Sequence, residues 1–163
     1  MSSRRLALIG STFRGAVTFE DDFLRNHSAC WSPWDLRIRD EMKPILYQQL
    51  NDGNRILLYL FLSKKMGGSG TVEYVEHIDN FVSSPDPIPQ PPEPLLTPPK
   101  PWPWEHPDST RPPKTWFRVV KPIQALSQRR RINEFSLYAD PRMSATPSHT
   151  RRSFAYIIEV NYR

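Results

Sequence analysis

The chain's hydrophobic pattern opens with Leu6-Ala7-Leu8-Ile9, a short apolar run ending at Gly10-Ser11 that predicts a buried first strand. Thr18 then precedes Glu20, Asp21 and Asp22, acidic residues that suit a helix N-terminus, and Phe19, Phe23 and Leu24 supply an inward stripe. The pattern predicts a helix capped by Thr18 and ending near Asn26-His27. Pro44 suits only the start of a second, short helix, which should run to Leu50 with Asp52-Gly53 as its stop. Ile56 to Leu62 is almost continuously apolar and predicts a central strand buried on both faces. A glycine-rich connection from Lys64 to Gly70 leads to Val72 to Ile78, so two antiparallel strands are expected across that turn. Further on, Trp116 to Val120 reads as a strand, Pro122 to Leu126 as a turn or short helix, Phe135 to Tyr138 as a strand, and Phe154 to Val160 as a closing strand.

Between these stretches the pattern breaks. Of the 18 prolines, 13 fall between Pro85 and Pro113, where proline holds the chain extended and cannot donate to a sheet. We therefore read residues 1–163 as a single domain with a proline-rich insertion at about 83–113. The insertion is a linker or a Pro-x-x-Pro ligand for SH3- or WW-type partners, except that Trp102 and Trp104 are costly to leave in water and favour anchoring it to the domain. Strands joined by nonlocal pairings, with helices in the crossovers, predict an α+β fold. The expected form is a small, twisted, mostly antiparallel barrel of five to six strands with two or three short helices.

Charge adds a partner class. The net charge is +5, and basic residues cluster at Arg129-Arg130-Arg131, Arg151-Arg152 and Lys64-Lys65. Such clusters neutralise phosphates and favour a polyanion, although any one of them reads equally well as a solvated basic surface. The single cysteine, Cys30, excludes an internal disulfide and a multi-cysteine zinc site and fits a reducing, intracellular setting. No signal-peptide pattern and no apolar run near 18 residues is present, so neither secretion nor a membrane span is expected.

Candidate chemistry centres on Ala29-Cys30-Trp31-Ser32-Pro33-Trp34, which reads as an aromatic loop between the two helices. Aromatic faces with a neighbouring hydroxyl make a receptor for a flat heterocycle, because stacking supplies affinity and hydrogen bonds supply orientation. The competing reading of Trp31 and Trp34 is core packing under the first helix. Signals for an enzyme are poor. His27, His77, His106 and His149 lack metal-ligand spacing, and Cys30 beside a bulky aromatic reads as a buried hydrophobe rather than a nucleophile. Glu73, Glu76 and Asp79 read as the solvated side of a strand, and Gly67 to Gly70 as hairpin geometry without the following Lys-Ser/Thr of a phosphate loop. Neither a catalytic residue, a metal site nor a cofactor is expected.

The order of these features resembles the PUA-like superfamily, in particular its EVE and YTH branches. Leu6 to Ser11, the following helix and Trp31-Ser32 match a YTH-like strand, helix and Trp-Ser pair; Ile56 to Ser63, Gly67 to Gly70 and Thr71 to Ile78 match its strand and hairpin. Trp102 and Trp104 match a later tryptophan-containing loop, and Trp116 to Val120 a valine- and aromatic-rich strand. Thr12-Phe13-Arg14 stands where YTH domains carry base-reading asparagines. The resemblance implies a reader of a modified, methylated base in RNA or DNA, working alone or in a larger assembly such as a restriction complex. It implies a base pocket drawn from Trp31, Ser32, Trp34, Ser11, Thr12, Trp102 and Trp104. Phosphate contacts are expected from Arg129, Arg130, Arg131, Arg151, Arg152, Lys64 and Lys65. The rival expectation is an adaptor whose proline-rich segment binds a partner domain.

Overall fold

A computed structural model describes residues 4–98 and 112–160. Along the chain come β1 (Leu6–Thr12), α1 (Arg14–Leu24), β2 (Ala29–Trp34), α2 (Lys43–Asn51), β3 (Ile56–Leu62), β4 (Thr71–Ser83), β5 (Thr115–Arg130) and β6 (Ala155–Ile158), with short 3-10 turns between them. The strands form one six-stranded mixed sheet in the order β2-β5-β4-β3-β1-β6. Its one parallel pair is β1 with β3, the other four pairs being antiparallel.

β3 lies inside the sheet and is buried on both faces, as its apolar run predicts. On one face α1 and α2 cover a core of Leu6, Leu8, Leu58, Ile78, Phe117 and Val119, to which they contribute Val17, Leu24 and Leu46. The opposite face is covered in two parts. The segment that follows β5 brings Ile132, Phe135 and Ala145 onto Ile9, Tyr59 and Phe61. The proline-rich segment brings Ile88 and Leu96 onto Trp31 and Trp116.

The sheet is strongly curled. Trp34 of β2 lies over Gly10 of β1, where an added Cβ would stand 2.6 Å from the indole. Four strand spacings separate β2 from β1, about 19 Å in a flat sheet. Only curvature towards the helices makes that contact possible. Among the described residues β2 and β6 are not hydrogen-bonded to each other, so the expected barrel is a curled, open sheet.

Four local expectations need correction. α1 begins one turn before Thr18, whose hydroxyl donates back to the Arg14 carbonyl at 3.1 Å from within the helix. The tryptophan segment is a strand, because its backbone pairs with β5 from Ala29↔Val120 to Trp34↔Thr115. Pro122 to Leu126 falls inside β5; register shifts against β4 absorb the irregularity that the sequence shows as a turn. Phe135 to Tyr138 makes only isolated bridges, Ser136↔Ser144 and Leu137↔Ile157.

Candidate functional site

Strand alternation splits the expected pocket. Successive residues of a strand point to opposite faces, so Trp31 and Ser32 cannot converge on one ligand. Ser32 faces α1, where its hydroxyl donates to the Glu20 carboxylate. Trp34 shares that face and rests between Phe154, at 5.4 Å between ring centroids, and Phe117, edge-on at 6.5 Å. Trp31 faces the other way. Ser11 and Thr12 end β1, four strands from β2 in the sheet order, although the curl of the sheet brings Gly10, just before them, against Trp34. Trp102 and Trp104 lie outside the described residues.

The outer face around Trp31 is a composite of two strands and the proline-rich segment. Trp31 is 1% exposed and clusters with Trp116, Val82, Phe19, Ile88 and Leu96. Both indoles donate to the proline-rich segment, Trp116 Nε1 to the Ile88 carbonyl at 2.7 Å and Trp31 Nε1 to Glu93 Oε1 at 3.0 Å. That segment is tied to the sheet at its base, where the Ile88 amide donates to the Pro113 carbonyl and the Ser84 amide to the Lys114 carbonyl. Arg118 is the cross-strand partner of Trp31. Its guanidinium stands 3.5 Å from the same Glu93 oxygen and 3.6 Å from Asp79 Oδ1. Hydrophobic contact, two indole N–H donors and one ion pair thus hold the segment over the tryptophans.

Arg118 belongs to no charge cluster in the sequence, since it stands alone in an apolar strand. The signal that locates it is register: Trp31 and Arg118 come to face one another once β2 and β5 pair. The cations that do cluster in sequence lie elsewhere. Arg129 and Arg130 are at the far end of β5, paired with Glu73 at 3.4 Å and Glu134 at 3.5 Å. Arg131, Lys64, Lys65, Arg151 and Arg152 are exposed. Because Phe61 pairs with Val72 and Val72 with Arg130, the Lys64-Lys65 hairpin and the Arg129 to Arg131 run share one end of the sheet.

A second constellation was also missed. Glu73 and Glu76 are buried, not solvated, whereas Asp79 is exposed. Glu73 answers Arg14 at 3.0 Å as well as Arg129. Glu76 and Glu20 face each other from β4 and α1, share a hydrogen bond, and leave Glu20 Oε2 and Glu76 Oε2 without partners among the described residues. Burial drives the Glu20 pKa up to about 7, against hydrogen bonds from Ser32 and Glu76. Burial, the Glu20 charge and the shared hydrogen bond hold Glu76 well above the carboxylate range. The pair therefore retains a proton at neutral pH. Burial, reinforced by both carboxylates, also raises the pKa of Cys30, which stays a thiol. His27 stacks on Phe23 at 3.8 Å, and His149 accepts from the Thr146 amide, both in local structural roles. Among the described residues no group of three or more His, Cys, Asp or Glu side chains is placed to hold a metal. No described helix is long and apolar enough to cross a membrane.

Comparison with models of protein families, with curated proteins and with solved structures finds no match to this chain.

Proposed function

We propose that the protein is a nucleic-acid-binding module of the PUA-like, EVE/YTH-like kind, and that it receives a modified base against Trp31. The observation that carries this reading is the cross-strand pairing of Trp31 with Arg118. An indole face beside a guanidinium offers stacking to a base and a charge-assisted donor to the adjoining backbone. The element order supports the fold half of the reading, since a strand, a helix, the Trp-Ser pair, a second helix, a strand and a hairpin follow one another along the chain. Net positive charge supports the polyanion half.

The burial of Trp31 sets a condition on this function. A base reaches the indole only when residues 86–97 move off it, and Trp102 and Trp104 stand in the same insertion. The base must also leave its own stack, which costs least in a single strand. The adaptor reading is served less well, because Ile88, Glu93 and Leu96 are engaged by the domain's own tryptophans. The test is the Trp31 indole N–H resonance in the intact protein. Addition of a short single strand carrying N6-methyladenine or 5-methylcytosine should shift it, and the unmodified strand should shift it less. A Trp31 signal that stays fixed while arginine signals move would assign binding to charge alone.

A further inference from the structure

The Glu93 carboxylate sits where two donors from different strands converge. Trp31 Nε1 donates to Oε1 at 3.0 Å, and Arg118 approaches the same oxygen at 3.5 Å. The donors belong to directly paired residues, so the ladder sets their side chains next to each other, and Asp79, 3.6 Å from Arg118 Nε, holds the guanidinium independently of Glu93. Glu93 itself comes from the proline-rich segment, in the residue before a 3-10 turn at Pro94–Leu96, and its side chain is 45% exposed. The seat is thus built into the sheet, and its occupant arrives on a separate piece of chain.

We propose that Trp31 Nε1–H and the Arg118 guanidinium form an anion seat, that Glu93 fills it as an internal surrogate, and that a backbone phosphate of a bound nucleic acid takes its place. This rests on the nucleic-acid reading above and adds to it the ligand group and the residue that competes. A phosphodiester carries one negative charge, as Glu93 does, so the exchange leaves the balance with Arg118 and Asp79 as it stands now. Its two non-bridging oxygens suit an indole N–H and a guanidinium N–H offered side by side. Lifting Glu93 also removes the contacts that tie this part of the segment to Trp31 and Arg118, while the Trp116 Nε1 bond to the Ile88 carbonyl stays, so phosphate capture loosens the cover over the stacking face.

The experiment compares the full-length protein with Glu93→Ala, and with Glu93→Ala combined with Arg118→Met, using two probes. Inorganic pyrophosphate reports the seat alone through tryptophan fluorescence. A short unmodified single strand reports the polymer. Glu93→Ala should bind both roughly five- to tenfold more tightly than the parent, the worth of one displaced charge-assisted contact that is half-exposed. The added Arg118→Met should abolish that gain while the circular dichroism spectrum stays native. Pyrophosphate binding unchanged by Glu93→Ala, or a gain that survives Arg118→Met, overturns the seat. A gain for pyrophosphate with none for the strand keeps an anion seat but overturns its assignment to nucleic acid.

Discussion

Glu20 and Glu76 are the residues whose surroundings depart furthest from what their chemistry prefers. The folded pair retains at neutral pH a proton that both carboxyls lose near pH 4.5 once the chain is unfolded. Stability from this pair is therefore fully present below about pH 4.5 and is lost as pH rises towards 7 and beyond. For Glu20 alone the shift from 4.5 to about 7 corresponds to on the order of 3 kcal/mol. Urea midpoints measured from pH 4.5 to 8 should fall for the parent and flatten for Glu20→Gln/Glu76→Gln; equal slopes would mean the carboxylates are not a buried, proton-sharing pair. At Gly10, Ala should destabilise by roughly 1–3 kcal/mol in denaturant unfolding, because its Cβ meets the Trp34 ring inside a filled core. Neither feature was legible in the sequence. Glu20 stands among acids at the start of a helix and Glu76 alternates on a strand, the local marks of solvated positions; only packing α1 over β4 buries them together.

The proline-rich segment is the element whose role changed most between sequence and structure. Its composition marked it as an interruption, yet residues 85–98 supply part of the cover over β2, β5 and β4. Among the described residues Ile88 and Leu96 pack against the Trp31–Trp116 cluster and belong to neither of the two larger core clusters. Replacing residues 86–97 with a Gly/Ser linker of equal length should then leave the sheet folded and make Trp31 and Trp116 accessible to acrylamide. Unfolding of that variant, or unchanged quenching, would contradict the layered arrangement. Strands with long apolar runs, β3 above all, were legible because their pattern is itself the record of burial. The Trp31-Ser32 pair misled because strand alternation, once the segment is known to be β2, sends neighbours to opposite faces. Pro122 misled in the other direction, since proline inside β5 is accommodated by shifted register rather than by a turn.

For the whole molecule, order along the chain was enough to anticipate α+β architecture with five to six mostly antiparallel strands, although β2 was absent from that set and Phe135 to Tyr138 stood in it. It did not show how far the sheet closes, because curvature follows from contacts such as Trp34 on Gly10 that join strands distant in the sheet. Charge followed the same division. The clusters visible in sequence gather at the Lys64-Lys65 and Arg129 to Arg131 end, while the cation beside the candidate base-binding face, Arg118, is single. A strand reaching both regions would contact several phosphates, so affinity should fall steeply with salt, and Arg131→Ala should shallow that slope equally for modified and plain strands. Whether Trp31 receives a modified base is read out by a salt titration of binding to matched short single strands with and without N6-methyladenine or 5-methylcytosine. A modified strand should bind more tightly by a factor that persists across salt concentrations, because stacking is not screened. Equal affinity for modified and plain strands at every salt concentration would contradict it.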